Sequence, residues 1–163
     1  MLVKQNDLCY YIKVKEWGMK AVIQRVLDAN LKVDGKLISE IGSGYVIFLG
    51  VMKGDSKEEA DYFIKKIPSL RICEDENGKI NKSIIDTNGE ILIVSQFTLM
   101  ANTSHGNRPD FLDAEIPEKA NALYEYVAEG LSKTGIPVKK GVFGADMTIE
   151  QKNQGPVTII YEV

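Results

Sequence analysis

Two short segments, Ser95-Gln96-Phe97-Thr98-Leu99 and Asn153-Gln154-Gly155-Pro156-Val157-Thr158, hold the residues best suited to chemistry, and both favour main-chain groups over side chains. The first stands where an apolar strand runs into a loop, a common place for functional side chains and free backbone N–H donors. Thr98 is a nucleophile only if a base activates it, and the options are His105 or a distant carboxylate. Alternatively, N–H groups at the strand end stabilise a developing oxyanion, worth about 2.7–4 kcal/mol per donor in hydrolases, without a side-chain base. The plain alternative is a strand end whose Ser and Thr satisfy local backbone groups. In the second segment, glycine lets the main chain approach a ligand. The Gly-Pro bond is the kind that can be cis at modest cost, although about 5–6% of X-Pro bonds are cis and a trans turn is the ordinary expectation.

A third group, Gly141-Val142-Phe143-Gly144-Ala145-Asp146-Met147, can present an aromatic ring as a platform for a base, or place Phe143 and Met147 in the core. Arg25 reads as an exposed strand residue, a salt-bridge partner, or an anchor for a carbonyl-rich segment through charge-assisted hydrogen bonds. The loop Gly106-Asn107-Arg108-Pro109-Asp110-Phe111 carries turn chemistry and one cation, suited equally to phosphate contact and to plain loop structure. His105, at its start, is expected to face solvent without a catalytic role.

Composition narrows the field. The chain has 163 residues, 44% of them hydrophobic, enough for one domain with a substantial core. With one histidine and two cysteines, Cys9 and Cys73, no pair has metal-ligand spacing, so neither a metal, another cofactor nor a disulfide framework is expected. A net charge of −3 argues against a broad basic field, and no DNA partner is expected. A local patch can still meet RNA phosphates, and Lys65-Lys66 and Lys139-Lys140 are candidates, although paired lysines are more often ordinary solvated surface. No apolar run approaches the roughly 20 residues of a membrane span and no signal peptide is evident, so a cytoplasmic location and no membrane partner are expected.

The elements that must position these residues follow from periodicity. After a weakly patterned start, residues 19–26 are rich in β formers, and Asp34-Gly35 between apolar pairs signals a hairpin. Residues 45–51 form a continuous apolar run, as in a strand buried on both faces. Ser56 and Glu59 make a capping box for a helix reaching about Pro68, with Ala60, Phe63, Ile64 and Ile67 on one face. Strands are predicted at 70–73 and 90–97, then a second helix from Pro117 to its stop at Gly135, with a stripe of Ala120, Leu123, Tyr124, Val127 and Leu131. Strands at 138–142, 147–151 and 157–163 complete an α+β pattern of antiparallel hairpins with two helices.

Taken in order, residues 19–25, 70–72, 95–99, 106–109, 141–147 and 153–158 together resemble the D-aminoacyl-tRNA deacylase family, and the pairing of Ser-Gln-Phe-Thr-Leu with Gly-Pro-Val-Thr is highly specific. The likeness covers residues 19–163 as a single domain; residues 1–18 have no family counterpart and form an N-terminal extension. It implies a homodimer of β-barrel-like α+β subunits with active sites at the interface, acting on aminoacyl-tRNA. It also implies that Gly155-Pro156 is cis and that its carbonyls, reaching the neighbouring subunit's pocket, exclude L side chains while admitting D residues and glycine.

Carried across residue by residue, Ser95, Gln96, Phe97 and Thr98 line the catalytic site with Leu99 beside them, Arg25 braces Gly155-Pro156, and Phe143 and Met147 hold the terminal adenosine. The resemblance favours backbone positioning and the tRNA's own 2′-OH over a Thr98 nucleophile. The implied activity is hydrolysis of D-aminoacyl-tRNA, and of glycine mischarged on tRNA(Ala), as chiral proofreading in translation. The alternative is a dimeric tRNA-binding protein of the same fold without turnover. Two departures bear on affinity or loop geometry: Gln154 where the family usually has Asp, and Met100-Ala101-Asn102 in place of Tyr-Ala-Asp.

Overall fold

The computed structural model describes residues 18–163, so the expected extension lies outside it except for Gly18, as do Cys9 and the weak alternation at 10–15. Strand β1 (Lys20–Val33) organises the rest, because its 14 residues are long enough to serve two partners on one edge. β3 (Gly44–Gly50) pairs antiparallel with its first half, from Lys20↔Gly50 to Val26↔Gly44. β2 (Lys36–Ile41) pairs antiparallel with its second half, from Ala29↔Ile41 to Val33↔Lys36. The predicted hairpin turn joins β1 to β2, with Asp34 and Gly35 both left-handed (φ 49° and 76°), the twist that a two-residue hairpin needs.

β8 (Thr148–Glu162) runs antiparallel along β1 from Lys20↔Glu162 to Lys32↔Thr148. The two C-terminal strands expected at 147–151 and 157–163 are therefore one strand, broken in register rather than in direction. Gln24 is opposite Thr158 and Val26 is opposite Asn153, which sets residues 154–157 against Arg25 alone.

The sheet is mixed, which corrects the antiparallel expectation. β6 (Glu90–Ser95) lies parallel to β3, and β7 (Val138–Lys140) parallel to β6. Parallel neighbours require long crossovers. α1 (Lys57–Ser69) intervenes between β3 and β6, and α2 (Pro117–Ser132) between β6 and β7. Hairpin signals register only neighbours joined by short turns, so they are silent on both crossovers. Ser39 on β2 donates to the Lys140 carbonyl on β7 at 2.5 Å, drawing the sheet round toward a barrel.

The helices start as predicted. Ser56 and Glu59 form the capping box of α1, and Pro117 opens α2. Ala60, Phe63 and Ile67 of α1 and Ala120, Tyr124, Val127 and Leu131 of α2 are buried in one core with Tyr45, Ile47, Ile91 and Ile93. The alternate residues Val46, Leu92 and Val94 enter a second core with Val26, Ala29 and Leu31 on the other face of the sheet. Burial on both faces is why residues 45–51 read as an unbroken apolar run. Among the described residues, no helix is long and apolar enough to cross a membrane.

The strand expected at 70–73 reduces to its last residue. β4 (Cys73–Glu74) pairs with β5 (Ile80–Lys82) as a separate two-stranded ribbon. Residues 70–72 lead into it without a ladder, and the Ile72 carbonyl accepts from Arg25 at 2.9 Å instead of from a strand.

Candidate functional site

β6 ends at Ser95, two residues before the expected Phe97, and Phe97–Met100 closes as a 3-10 turn. Gln96 lies outside both the helical and the extended regions (φ −140°, ψ 81°), and its N–H pairs back to the Leu49 carbonyl at 2.8 Å. The ladder of the turn begins with Leu99 N–H donating to Gln96 O at 3.2 Å and continues with Ala101 N–H to Thr98 O at 3.1 Å. The N–H groups of Phe97 and Thr98 stand outside that ladder, as leading donors of a helical turn do. Two successive donors of this kind suit an oxyanion. Gly50 permits the arrangement, because a Cβ there would meet Gln96 O and the Met100 methyl at 2.9 Å.

Two cavities meet at Gln96. The larger, of about 740 Å³, is also lined by Ser95, Phe97, Phe111, Phe143 and Met147. The smaller, of about 280 Å³, is lined by Val22, Gln24, Phe48, Thr98 and Leu99 as well. The strand end thus contributes to both, with Gln96 as the shared wall.

The large cavity has aromatic walls. Phe97 meets Phe111 edge-on at 5.0 Å between ring centroids. Phe143 rests against Tyr124 at 6.2 Å, and Tyr124 is fixed by donating its hydroxyl to Ile93 O at 2.9 Å. Burial raises the Tyr124 phenol well above its usual range, so it serves as a neutral donor. Met147 packs against the second core and its sulfur crowds Gly141, where a Cβ would approach to 2.8 Å. Phe143 and Met147 are both only half-buried, so the core and platform readings of these side chains hold together.

Side-chain bases are scarce at this site. Gln96 Nε2 donates to Thr98 Oγ1, and an amide donor cannot take the hydroxyl proton. His105 is exposed and lines neither cavity, so the structure does not bring it to Thr98. Glu115 and Asp146 line the large cavity. Glu115 accepts N–H groups from Ile116 and Gly54, which hold its carboxyl below the usual range and make it a weak base at neutral pH. No group of His, Cys, Asp and Glu among the described residues could hold a metal.

The second segment is elsewhere. Gly155 and Pro156 are exposed, joined by a cis peptide, and line neither cavity within this subunit. Gly155 is left-handed (φ 119°), and a Cβ on it would stand 3.0 Å from Val157 N and 3.2 Å from Arg25 Nη2. Arg25 is 4% exposed, far from the solvated strand residue that its type suggests. It donates from Nε to Gln154 O at 3.3 Å, from Nη1 to Ile72 O, and from Nη2 to Glu74 Oε1 at 3.1 Å.

The other sequence candidates stay on the surface. Arg108 is exposed and lines neither cavity, and its loop is closed by Asn102 and Asp110 exchanging backbone bonds of 2.9 and 3.0 Å. Lys65 and Lys66 are exposed, and Lys140 pairs with Glu125 at 2.6 Å. Sequence reasoning missed Gln24 and Glu74, and named Phe111 only as part of a loop and not as a cavity wall. Phe111 lies in a turn-rich loop and Gln24 is an ordinary polar strand position, so local pattern carries no signal for either.

A family model for D-Tyr-tRNA(Tyr) deacylase matches residues 22–162. A D-aminoacyl-tRNA deacylase of Persephonella marina is 55% identical over 144 residues, spanning 88% of this chain and 97% of the relative. One from Syntrophomonas wolfei is 49% identical over 144 residues with the same coverage. Among solved structures, a c-Myc DNA Unwinding Element Binding Protein matches with a TM-score of 0.83 at 45% identity, over 88% of this chain and 98% of its own. A probable eukaryotic D-amino acid tRNA deacylase matches in fold, with a TM-score of 0.74 at 17% identity over 89% and 99%.

Proposed function

The chain belongs to the D-Tyr-tRNA(Tyr) deacylase family, and from that membership we propose that it hydrolyses the ester between a D-amino acid and the 3′ end of tRNA. The observation that carries the reading is the junction at Gln96, where a large aromatic cavity meets a small one beside two backbone N–H groups that stand outside the ladder of the turn. The large cavity suits the terminal adenosine, with Phe143 and Met147 against the base. The small cavity takes the aminoacyl group, and the ester then lies beside the 3-10 turn.

Water attacks the ester carbonyl, and the Phe97 and Thr98 N–H groups receive the oxyanion. Collapse expels the ribose 3′-oxygen, which gains a proton, leaving free amino acid and tRNA. The neighbouring 2′-OH of the RNA is the available proton carrier, consistent with an amide rather than a base beside Thr98. Ser95 and Gln96 line the site and Leu99 closes its apolar side.

Selection against L substrates is assigned to Gly155 and Pro156 of a second copy of the chain. Two observations support this. Both residues are exposed and outside the cavities of their own subunit, and Ile160, four residues further along the strand, is 63% exposed as an apolar contact surface. A homodimer that buries this face brings the segment of each subunit to the pocket of the other. Glycine has no side chain to be rejected, so glycyl-tRNA(Ala) is a second substrate, and a role in translation places the protein in the cytoplasm.

Purified protein should release D-tyrosine from D-Tyr-tRNA at least tenfold faster than L-tyrosine from L-Tyr-tRNA, since a side chain that fits poorly in a tight pocket loses on the order of 10–200-fold. Equal rates would refute chiral selection. Saturable tRNA binding without ester cleavage would establish instead a non-catalytic binder of the same fold.

A further inference from the structure

We propose that Glu74 is a positioning residue for chiral selection: its ion pair fixes the Arg25 guanidinium, which holds the Gln154 carbonyl and thereby sets where Gly155 and Pro156 lie. This rests on the assignment of selection to those two residues. The register break in β8 leaves residues 154–157 opposite Arg25 alone, so strand pairing does not fix them. Arg25 does, by its bond to Gln154 O and by standing 3.2 Å from the Cβ position of Gly155. A rotation of the guanidinium therefore displaces the segment or frees it.

What prevents that rotation is an ion pair at Nη2, the guanidinium nitrogen that also stands nearest the Cβ position of Gly155. The Arg25 side chain is 5% exposed, and a buried cation needs a counter-charge that two carbonyls do not supply. Glu74 supplies it at 3.1 Å to Nη2. The ribbon that carries Glu74 is held independently of β8. Asp75 accepts N–H groups from Asn77 at 2.9 Å and Lys79 at 3.0 Å, and Cys73 is buried 3.4 Å from the Tyr45 hydroxyl. Lys82 on the same ribbon pairs with Glu76. The arrangement is a relay from a braced hairpin, through one planar guanidinium, to an otherwise unsupported stretch of backbone.

The Glu74 side chain is 46% exposed, so its truncation leaves no core cavity and the variant should fold. Rates on D-Tyr-tRNA and L-Tyr-tRNA, with Tm for each variant, test the proposal. Glu74→Ala should lower the D-over-L ratio of kcat/KM by about tenfold, the scale of one hydrogen bond to a charged group. Glu74→Gln, which keeps an oxygen for Nη2, should recover most of the ratio. In an Arg25→Lys background, Glu74→Ala should add no further loss. A wild-type ratio in Glu74→Ala, whatever its Tm, overturns the proposal, as does an equal loss in both backgrounds. If the wild-type enzyme itself fails to discriminate, the assignment of function falls and takes this proposal with it, an outcome distinct from discrimination that survives Glu74→Ala.

Discussion

The 3-10 turn at Phe97–Met100 and the register break at 154–157 are both places where regular pairing stops, yet one makes a pocket and the other only a protrusion. At the turn, the two residues whose N–H groups stay outside the ladder line cavities of their own subunit, Phe97 the larger and Thr98 the smaller. At the break, the chain braces the backbone from behind with Arg25 and leaves the front open. Under the proposed function, this difference separates two tasks. Stabilising charge needs donors fixed within one subunit, whereas excluding a side chain needs only a rigid edge that something else can present.

The sharpest way to break this comparison is to delete one donor from the turn. Phe97→Pro removes an N–H that the turn does not use, at a first helical position that accepts proline, after a residue outside the α region that a following proline disfavours. Its kcat on D-Tyr-tRNA should fall about 10²–10³-fold below that of Phe97→Ala, which keeps the N–H. Parity of the two variants would remove the oxyanion role.

Gly155→Ala should cost about 100-fold, because the methyl is strained at φ 119° and pushes on Arg25, and small misplacements at a substrate contact are costly on that scale. Mixing sharpens the point. In mixed dimers of Phe97→Pro with Gly155→Ala, one site in two has an intact turn and an intact neighbouring glycine. Random re-pairing of equal amounts should therefore restore about a quarter of wild-type activity. Absence of recovery in verified mixed dimers would place both segments in the same subunit's site.

Phe143→Ala tests the aromatic wall and should raise KM about tenfold with kcat little changed, in line with about 1–3 kcal/mol for stacking on one base. The smallest effect is expected at Thr98, whose hydroxyl meets only an amide donor. Thr98→Ala should keep kcat within about tenfold of wild type, since general-base activation of a nucleophile is worth about 10²–10⁴ when present. Loss beyond that range would revive the nucleophile reading and make the turn a side-chain site after all.

Much of the fold was legible because its signals are local. A capping box, a proline at the first helical position and an Asp-Gly turn each act within a few residues, and all three stand where expected. The parallel pairing of β3 with β6 was not legible, since it is decided by how α1 packs across the sheet. At the site, the residues of both segments were visible as types. The end of β6 was placed two residues too far because an aromatic β former, Phe97, follows Ser95 and Gln96, whereas the ladder stops at Ser95 and Gln96 turns back to Leu49.

By itself, the sequence determined the family, the helices with their faces, the glycine and proline at 155–156, and the single histidine that limits the choice of side-chain bases. Only the tertiary structure decided that Arg25 is buried rather than solvated, that Glu74 is its counter-charge across 49 positions of chain, and that Gln96 stands between two cavities. The reason is one of range. Turns and caps are set by backbone conformations a few residues long, whereas the burial and hydrogen-bond partners of a guanidinium depend on which distant strands the packing places around it.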